Sequence, residues 1–155
     1  DKRFWDTAAG GLVVWFNQEQ AQRGRKAIYG TLALGDIGEA GWGTDLPILD
    51  LLGLVDPVIS KLPGGYTNKT GPGFRKRFFD AKPRYFILIS SNNDCSHPSV
   101  TGSRVLYHEP RFRRQYEVSG RVRLDDGFFW CIFEHRDMRT PGRAVTTVDN
   151  RPARR

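Results

Sequence analysis

The chain has 155 residues, of which 39% are hydrophobic and 26% are charged, and its formal net charge is +7. This length suits one domain, because folding at this size removes roughly 70% of the unfolded surface from water. The sequence contains no signal peptide and no apolar run near the roughly 18 residues of a membrane-spanning helix, which excludes such a helix and predicts a soluble polypeptide.

The net charge is concentrated at the C-terminus. Residues 139–155 carry five arginines against one acidic residue, Asp149. The segment also contains glycine and proline but almost no large apolar side chain, so burial offers little to offset the entropy of ordering it. We therefore predict a single domain over residues 1–137 and a flexible, Arg-rich tail over residues 138–155. We interpret this tail as a solvated terminus rather than a binding arm.

The N-terminal third of the chain predicts a helix followed by two strands. Apolar residues recur at spacings of three and four up to Gly24, which predicts an amphipathic helix over residues 4–23. Residues 31–35 and 48–52 are short apolar runs bounded by turn residues, which is typical of parallel strands covered on both faces.

Two acidic residues, Asp36 and Asp50, lie at or near the ends of these predicted strands. In an open α/β sheet, ligands usually bind in the crevice beyond the carboxyl ends of the strands. Asp36 and Asp50 are therefore candidate ligand contacts, although Asp36 could instead cap a helix and Asp50 could bond to turn amides. Asp45 and Asp56 add two more carboxylates, but the four have no spacing diagnostic of a glycosidase or a metal site.

The rest of the chain predicts three helices, one strongly marked strand and a hairpin. The hairpin is indicated by alternating apolar and polar residues over 118–124, an Asp-Asp-Gly turn at 125–127 and a returning strand over 128–133. In chain order we predict helices over 56–62 and 74–80, a strand over 85–90, a helix over 103–116 that is irregular at Pro110, and strands over 118–124 and 128–133. Together these elements predict an α/β fold, a three-layer Rossmann-like sandwich with a mainly parallel sheet and a C-terminal antiparallel hairpin.

The two cysteines, Cys95 and Cys131, are 36 positions apart. In an oxidising compartment they could form a disulfide, whose loop-closure entropy alone suggests about 3–4 kcal/mol of stabilisation. In a reducing compartment Cys95 would be an exposed thiol in a polar loop and Cys131 a buried thiol in a strand. The sequence leaves both states open.

No catalytic residue, cofactor or metal site is predicted. The glycines between the first two strands lack the spacing of a dinucleotide-binding loop and the lysine of a P-loop. His97, His108 and His135 match no zinc spacing with the two cysteines. Ser90 and Ser91 follow a strand, but no nucleophile elbow surrounds them.

Arginines alternate with aromatic residues in and after the predicted helix 103–116. Such a pattern can form a basic, aromatic face for RNA or for anionic lipid headgroups. Nearby acidic residues dilute it, so we favour a solvated amphipathic helix packed through its aromatic residues and do not expect nucleic acid as a partner. The residues concerned are Arg104, Arg111, Arg113, Arg114, Arg121 and Arg123, with Tyr107, Phe112 and Tyr116.

Four ordered segments carry a resemblance to a known class of enzyme. They are DIG at 36–38, PILDLLGLVDP at 47–57, KPRYFIL at 82–88 and FRRQY at 112–116, followed by the hairpin. Together they resemble the soluble extracytoplasmic C-terminal domain of multi-spanning bacterial membrane glycosyltransferases. These polyprenyl-phosphate-sugar-dependent enzymes, among them arabinofuranosyl- and mannosyltransferases, build envelope glycans. The resemblance spans about residues 30–136.

The resemblance implies a non-catalytic α/β domain outside the cytoplasm, tethered to the membrane in the full-length protein. The catalytic carboxylate of such enzymes lies in loops of the transmembrane part, which this chain lacks. The implied partners are a glycan acceptor, a polyprenyl-phosphate sugar donor held by the membrane part, and the nearby membrane surface. The start at Asp1 without an initiator methionine agrees with a domain taken from a longer protein.

Within this chain we expect Asp36, Trp42, Asp50 and Asn92 to line the crevice and to contact hydroxyl groups of the acceptor sugar. Carboxylates and amides suit hydroxyl recognition, and an indole offers an apolar face to sugar C–H groups. Trp42 stands where the resembling domains often have tyrosine. Two alternatives stay open: a free-standing hydrolase that uses the same carboxylates, with or without a divalent cation, and a basic module that binds nucleic acid or an anionic surface through the Arg-rich helix and tail.

Overall fold

The structure, a computed structural model, describes residues 2–34, 44–51, 61–63 and 71–151. Over these residues the chain forms a mixed α/β fold with five helices and six strands. The helices are α1 (Lys2–Arg23), α2 (Arg25–Ile28), α3 (Pro72–Ala81), α4 (Thr101–Tyr107) and α5 (Pro110–Gln115). The strands are β1 (Leu32–Leu34), β2 (Ile48–Asp50), β3 (Tyr85–Ser90), β4 (Tyr116–Arg123), β5 (Phe129–His135) and β6 (Thr146–Asp149).

The described strands form one sheet in the order β2-β1-β3-β5-β4-β6. The pairs β1–β2, β1–β3 and β4–β6 are parallel, whereas β3–β5 and β4–β5 are antiparallel. The hairpin of β4 and β5 is therefore part of the sheet rather than an appendage, because β5 pairs with β3 along its whole length. This arrangement confirms the predicted α/β sandwich with a C-terminal hairpin.

Strand β3 separates two hydrophobic clusters, one on each face of the sheet. All six of its residues are buried, and successive side chains point to opposite faces. Tyr85, Ile87 and Ile89 join the cluster beneath α1, while Phe86 and Leu88 join the cluster beneath α3, α4 and α5. The sheet is thus the middle layer of three.

The face covered by α3, α4 and α5 has an aromatic core. Phe112 and Tyr116 stack nearly parallel, with ring centroids 4.9 Å apart. Phe86 packs against Phe112 at 5.3 Å, and Phe78 packs against Phe86 at 5.3 Å. Aromatic contacts of this kind stabilise a core beyond the area that they bury.

Some predicted elements match the observed ones, and others differ in their bounds or in number. The strand predicted over residues 85–90 is β3 without change. The helix predicted over 103–116 is two helices, because Pro110 begins α5 and has no N–H to continue α4. The helix predicted over 56–62 falls largely outside the described residues.

The predicted boundary at residue 137 and the flexible tail after it are corrected by β6. Residues 146–149 pair in parallel with β4, in the register Gly120↔Thr146 to Arg123↔Asp149. Helix α1 also contacts β6, since the indole N–H of Trp15 donates to Oγ1 of Thr146 at 2.8 Å. The composition of the segment did not reveal this pairing, because its partners come from distant parts of the chain.

Candidate functional site

The carboxyl ends of β1, β2 and β3 lie at one edge of the sheet, because these three strands run in the same direction. Leu34 pairs with Asp50 at the ends of the two shorter strands. Strand β3 extends beyond its pairing with β1 and ends at Ser90. Residues 91–99, here called the β3–α4 loop, follow directly and lie where an open α/β sheet usually binds its ligand.

The side chain of Asn92 organises the β3–α4 loop. Its Oδ1 accepts hydrogen bonds from Oγ of Ser90 at 2.9 Å and from the backbone N–H of Ser96 at 3.1 Å. Its Nδ2 donates to Oγ of Ser96 at 2.8 Å and to Nδ1 of His97 at 2.6 Å. A neutral amide offers two donors and one oxygen with two lone pairs, so these contacts use its full capacity.

The contact with Asn92 fixes the state of the neutral His97 ring. An amide NH₂ group can only donate, so Nδ1 of His97 accepts and the proton of the neutral ring lies on Nε2. The His97 side chain is exposed. The loop therefore presents an oriented imidazole N–H to solvent at the carboxyl edge of the sheet.

Two tethers hold the β3–α4 loop on the sheet. Cys95 forms a disulfide with Cys131 of β5, which is one of the two states that the sequence left open, and both residues are fully buried. Nε of Arg121 in β4 donates to the backbone oxygen of Asn93 at 2.6 Å. The loop is consequently fixed to β4 and β5 as well as to the strand that it follows.

The four residues predicted to contact a sugar have different outcomes. Asp36 and Trp42 lie outside the described residues. Asp50 ends β2 at the expected edge, and its side chain lies outside the described part of the structure. Asn92 is in the expected loop, but its amide is engaged within the loop. His97 was not predicted from the sequence as a ligand contact. The sequence feature that could have indicated it is its position five residues after Asn92 in the same polar loop.

Of the other carboxylates and histidines considered from the sequence, Asp56 lies outside the described residues, and those that the structure describes do not converge. Asp45 is exposed and pairs with Arg25 at 2.9 Å. His108 follows α4, whereas His135 ends β5. Within the described ranges, no group of three or more histidine, cysteine or acidic side chains could hold a metal ion.

The aromatic residues of the Arg-rich region are packed inside the protein. Phe112 and Tyr116 are buried, and burial raises the pKa of the Tyr116 hydroxyl, which donates to the backbone oxygen of Pro83 at 2.6 Å. Arg111 lies over the ring of Phe79, with 3.7 Å between its guanidinium carbon and the ring centroid. Phe112 and Tyr116 are thus core residues, and their rings are not exposed for stacking with bases.

Among the described helices, none combines the length and the apolar character that crossing a bilayer requires. No curated protein and no solved structure matches the chain significantly. The sequence model of a family described as a domain of unknown function (DUF8728) matches residues 7–143. This match covers most of the chain, including α4, α5 and the hairpin of β4 and β5, and the chain therefore belongs to the DUF8728 family.

Proposed function

We propose that this chain is a non-catalytic, extracytoplasmic accessory domain of a membrane glycosyltransferase, and that it contributes to acceptor-glycan binding in the synthesis of cell-envelope polysaccharides. The observation that carries the proposal is the β3–α4 loop: a polar loop at the carboxyl ends of the parallel strands β1, β2 and β3, fixed by a buried disulfide. The disulfide supports the extracytoplasmic location, and the position of the loop at the carboxyl ends of the strands supports ligand binding.

The disulfide supports an extracytoplasmic location. Cytosolic thiols are kept reduced in most organisms, so a structural disulfide favours a secreted or periplasmic protein. Cys95 and Cys131 are both fully buried, which is the environment of a structural bridge rather than of an exchanging one. Membrane tethering of the full-length protein and proximity to a membrane surface are parts of the same proposal.

The chemistry of the loop supports a polyhydroxylated ligand. Sugars are bound by a few placed hydrogen-bonding groups together with apolar surface. The loop presents His97, which is exposed, and Ser96, which is partly exposed. Since Asn92 is fully engaged, we assign it the role of positioning these two side chains. Asp50 is the neighbouring carboxylate in this proposal.

Asp36 and Trp42 keep the roles proposed from the sequence, namely a carboxylate contact and an aromatic surface for the sugar ring. The polyprenyl-phosphate sugar donor is assigned to the membrane part of the full-length protein, together with the catalytic carboxylate. The domain's own contribution is then to hold the acceptor chain near that active site.

The proposal is tested by binding of this chain to short arabinofuranosyl and mannosyl oligosaccharides. Titration of the ¹⁵N-labelled protein should shift backbone amide signals of residues 91–99, and His97→Ala should weaken binding by about tenfold, the loss of one hydrogen bond to the ligand. Gln18→Ala is the control, because it truncates an exposed polar side chain on α1 that is not part of residues 91–99. Binding of the control should be unchanged.

Two results would count against the proposal. One is hydrolysis of the oligosaccharides by this chain, which would favour the alternative of a free-standing hydrolase. The other is a full-length gene that encodes no hydrophobic segments of about 20 residues, since a membrane transferase needs several of them.

A further inference from the structure

A second concave surface lies between α3 and α4, on the face of the sheet opposite α1. It has a volume of about 360 Å³ and is lined by Arg75, Arg104, Val105, His108 and Glu109. The lining of this small, open pocket thus combines two arginines and a histidine with one glutamate. We call this surface the α3–α4 pocket.

The helices around the α3–α4 pocket are strongly basic. Together α3, α4 and α5 carry seven arginine and lysine residues and one acidic residue, Asp80. Asp80 is paired with Lys76 on the surface of α3. Field lines from this excess of positive charge converge in a concave site and raise the local concentration of anions there.

Glu109 neutralises only part of the positive charge in the pocket. Its Oε1 lies 3.3 Å from Nε of Arg75, and both side chains are partly exposed. A guanidinium has five N–H donors, so this contact leaves Arg75 donors for a ligand. Arg104 and His108 add their donors to the same site.

The guanidinium of Arg104 is oriented before any ligand arrives. Its Nη1 donates to the backbone oxygen of Ser99 at 3.3 Å, and its Nη2 donates to Oγ1 of Thr101 at 3.1 Å. An arginine held in this way loses less conformational entropy on binding than a free one. The planar fork suits a carboxylate or a phosphate, which it can bind through two parallel hydrogen bonds.

The α3–α4 pocket is linked to the β3–α4 loop by a hydrogen bond from its lining residue Arg104. Ser99, which accepts from Arg104, is the last residue of that loop. The pocket also contains an apolar side chain, Val105, beside its charged groups. A saccharide with hydroxyl groups, an apolar face and an acidic substituent matches this set of side chains.

We propose that the α3–α4 pocket binds an oxyanion, a carboxylate or a phosphate, carried by a sugar residue of the acceptor glycan. That the ligand is a glycan rests on the proposed function. That the ligand carries a negative charge rests on the residues of the pocket itself. Arg104 is its principal contact, and Arg75 is the second.

The test is a titration of the protein, labelled with ¹⁵N, by glucuronic acid, glucose 6-phosphate, inorganic phosphate and glucose at constant ionic strength. Glucuronic acid and glucose 6-phosphate should shift the Nε–Hε signals of Arg75 and Arg104, and glucose should not. Arg104→Gln should weaken binding of both anionic sugars by at least about tenfold, as expected for a charged hydrogen bond. Arg114→Gln removes the same charge from an exposed position on α5 and should change the affinity less than twofold, an estimate that follows from screening of exposed charges.

Each alternative result overturns a stated part of the inference. Equal losses for Arg104→Gln and Arg114→Gln would mean that a diffuse positive field, not the pocket, attracts the anion. If inorganic phosphate bound as tightly as glucose 6-phosphate, the sugar would contribute nothing to recognition in the pocket. If glucose shifted the same signals, the ligand would not need a negative charge. The proposed function fails separately, because it depends on neutral oligosaccharides and on His97, which lies outside the pocket lining.

Discussion

The indole ring of Trp15 lies directly against Gly120. A Cβ atom on Gly120 would lie 2.2 Å from Nε1 and 2.3 Å from Cε2 of Trp15, which is closer than non-bonded atoms approach. The ring is buried, and its N–H is bonded to Oγ1 of Thr146, so it cannot move aside without losing that hydrogen bond. The absence of a side chain at Gly120 is therefore what allows α1 to pack closely on β4.

Gly120→Ala should destabilise the protein by about 2–3 kcal/mol, because an added atom in a filled core forces side chains or backbone to shift. Equilibrium unfolding in urea measures the change. Gly71→Ala is the control, since a Cβ there meets no atom within 4 Å and the residue has φ −70°. It should change the free energy of unfolding by less than about 1 kcal/mol. Similar losses for the two variants would contradict the role of close packing.

The buried pair of Arg84 and Glu134 gives a second prediction. Their side chains are 7% and 0% exposed, and Nε and Nη2 of Arg84 donate to Oε2 of Glu134 at 2.9 and 2.8 Å. Arg84→Met should cost about 3–5 kcal/mol, because it leaves a buried carboxylate without its cation. The double variant Arg84→Met/Glu134→Leu should lose less than the sum of the single variants, measured as a double-mutant cycle in urea. Additive losses would show that the two residues act independently.

The extent to which the sequence predicts this fold depends on how local the governing contacts are. Strand β3 is predicted with its observed bounds because its six consecutive residues by themselves indicate a strand that is buried on both faces. Strand β6 is missed because its stability comes from β4 and from Trp15, which lies 131 positions from Thr146. The ion pair of Arg84 and Glu134 is missed for the same reason, since no pattern marks two charges 50 positions apart as partners.

The candidate site shows the same division. The sequence correctly indicates a polar loop directly after β3, because the change from a buried strand to a run of polar residues is local. The sequence does not indicate that the Asn92 side chain forms its hydrogen bonds with Ser90, Ser96 and His97. Those contacts depend on the path of the loop, which the disulfide from Cys95 to β5 helps to set.

The contact between Arg143 and Glu19 gives a third prediction, for the segment that the sequence reads as a tail. Glu19 of α1 has a side chain only 3% exposed, and it pairs with Arg143, which is 21% exposed. Arg143→Met should destabilise the protein by about 2–3 kcal/mol, somewhat less than for a fully buried pair. Arg151→Met is the control, because its pair with Asp149 is at the surface, where solvent screening leaves an ion pair little effect on stability. A control that is as harmful as Arg143→Met would contradict this assignment.

The fourth prediction concerns His135 and pH. Burial lowers the pKa of this imidazole below its ordinary 6.5, while Asp137 acts in the opposite direction and Lys82 adds a smaller lowering. The unfolded state therefore binds a proton more readily than the folded state. The stability linked to His135 is complete above about pH 6.5 and is lost as the pH falls below that value.

His135→Gln should flatten this part of the stability profile, measured by urea unfolding between pH 5 and 8, since glutamine does not titrate. The variant will also lose some stability at every pH, because Nδ1 of His135 accepts the backbone N–H of Asp137 at 3.2 Å. The slope, not the level, is therefore the relevant quantity. A slope unchanged in His135→Gln would contradict the prediction.

The disulfide gives the last prediction, which links the fold to the proposed location. The bridge closes a loop with a sequence separation of 36 residues between Cys95 and Cys131. Its reduction should lower the free energy of unfolding by about 3–4 kcal/mol through the added freedom of the unfolded chain. The midpoint of urea unfolding should therefore fall when dithiothreitol is present, and the Cys95→Ala/Cys131→Ala variant should have the lower midpoint in both conditions. A wild-type midpoint that does not respond to the reductant, with free thiols verified by labelling, would show that the protein folds equally well in a reducing compartment. The disulfide would then no longer support an extracytoplasmic location.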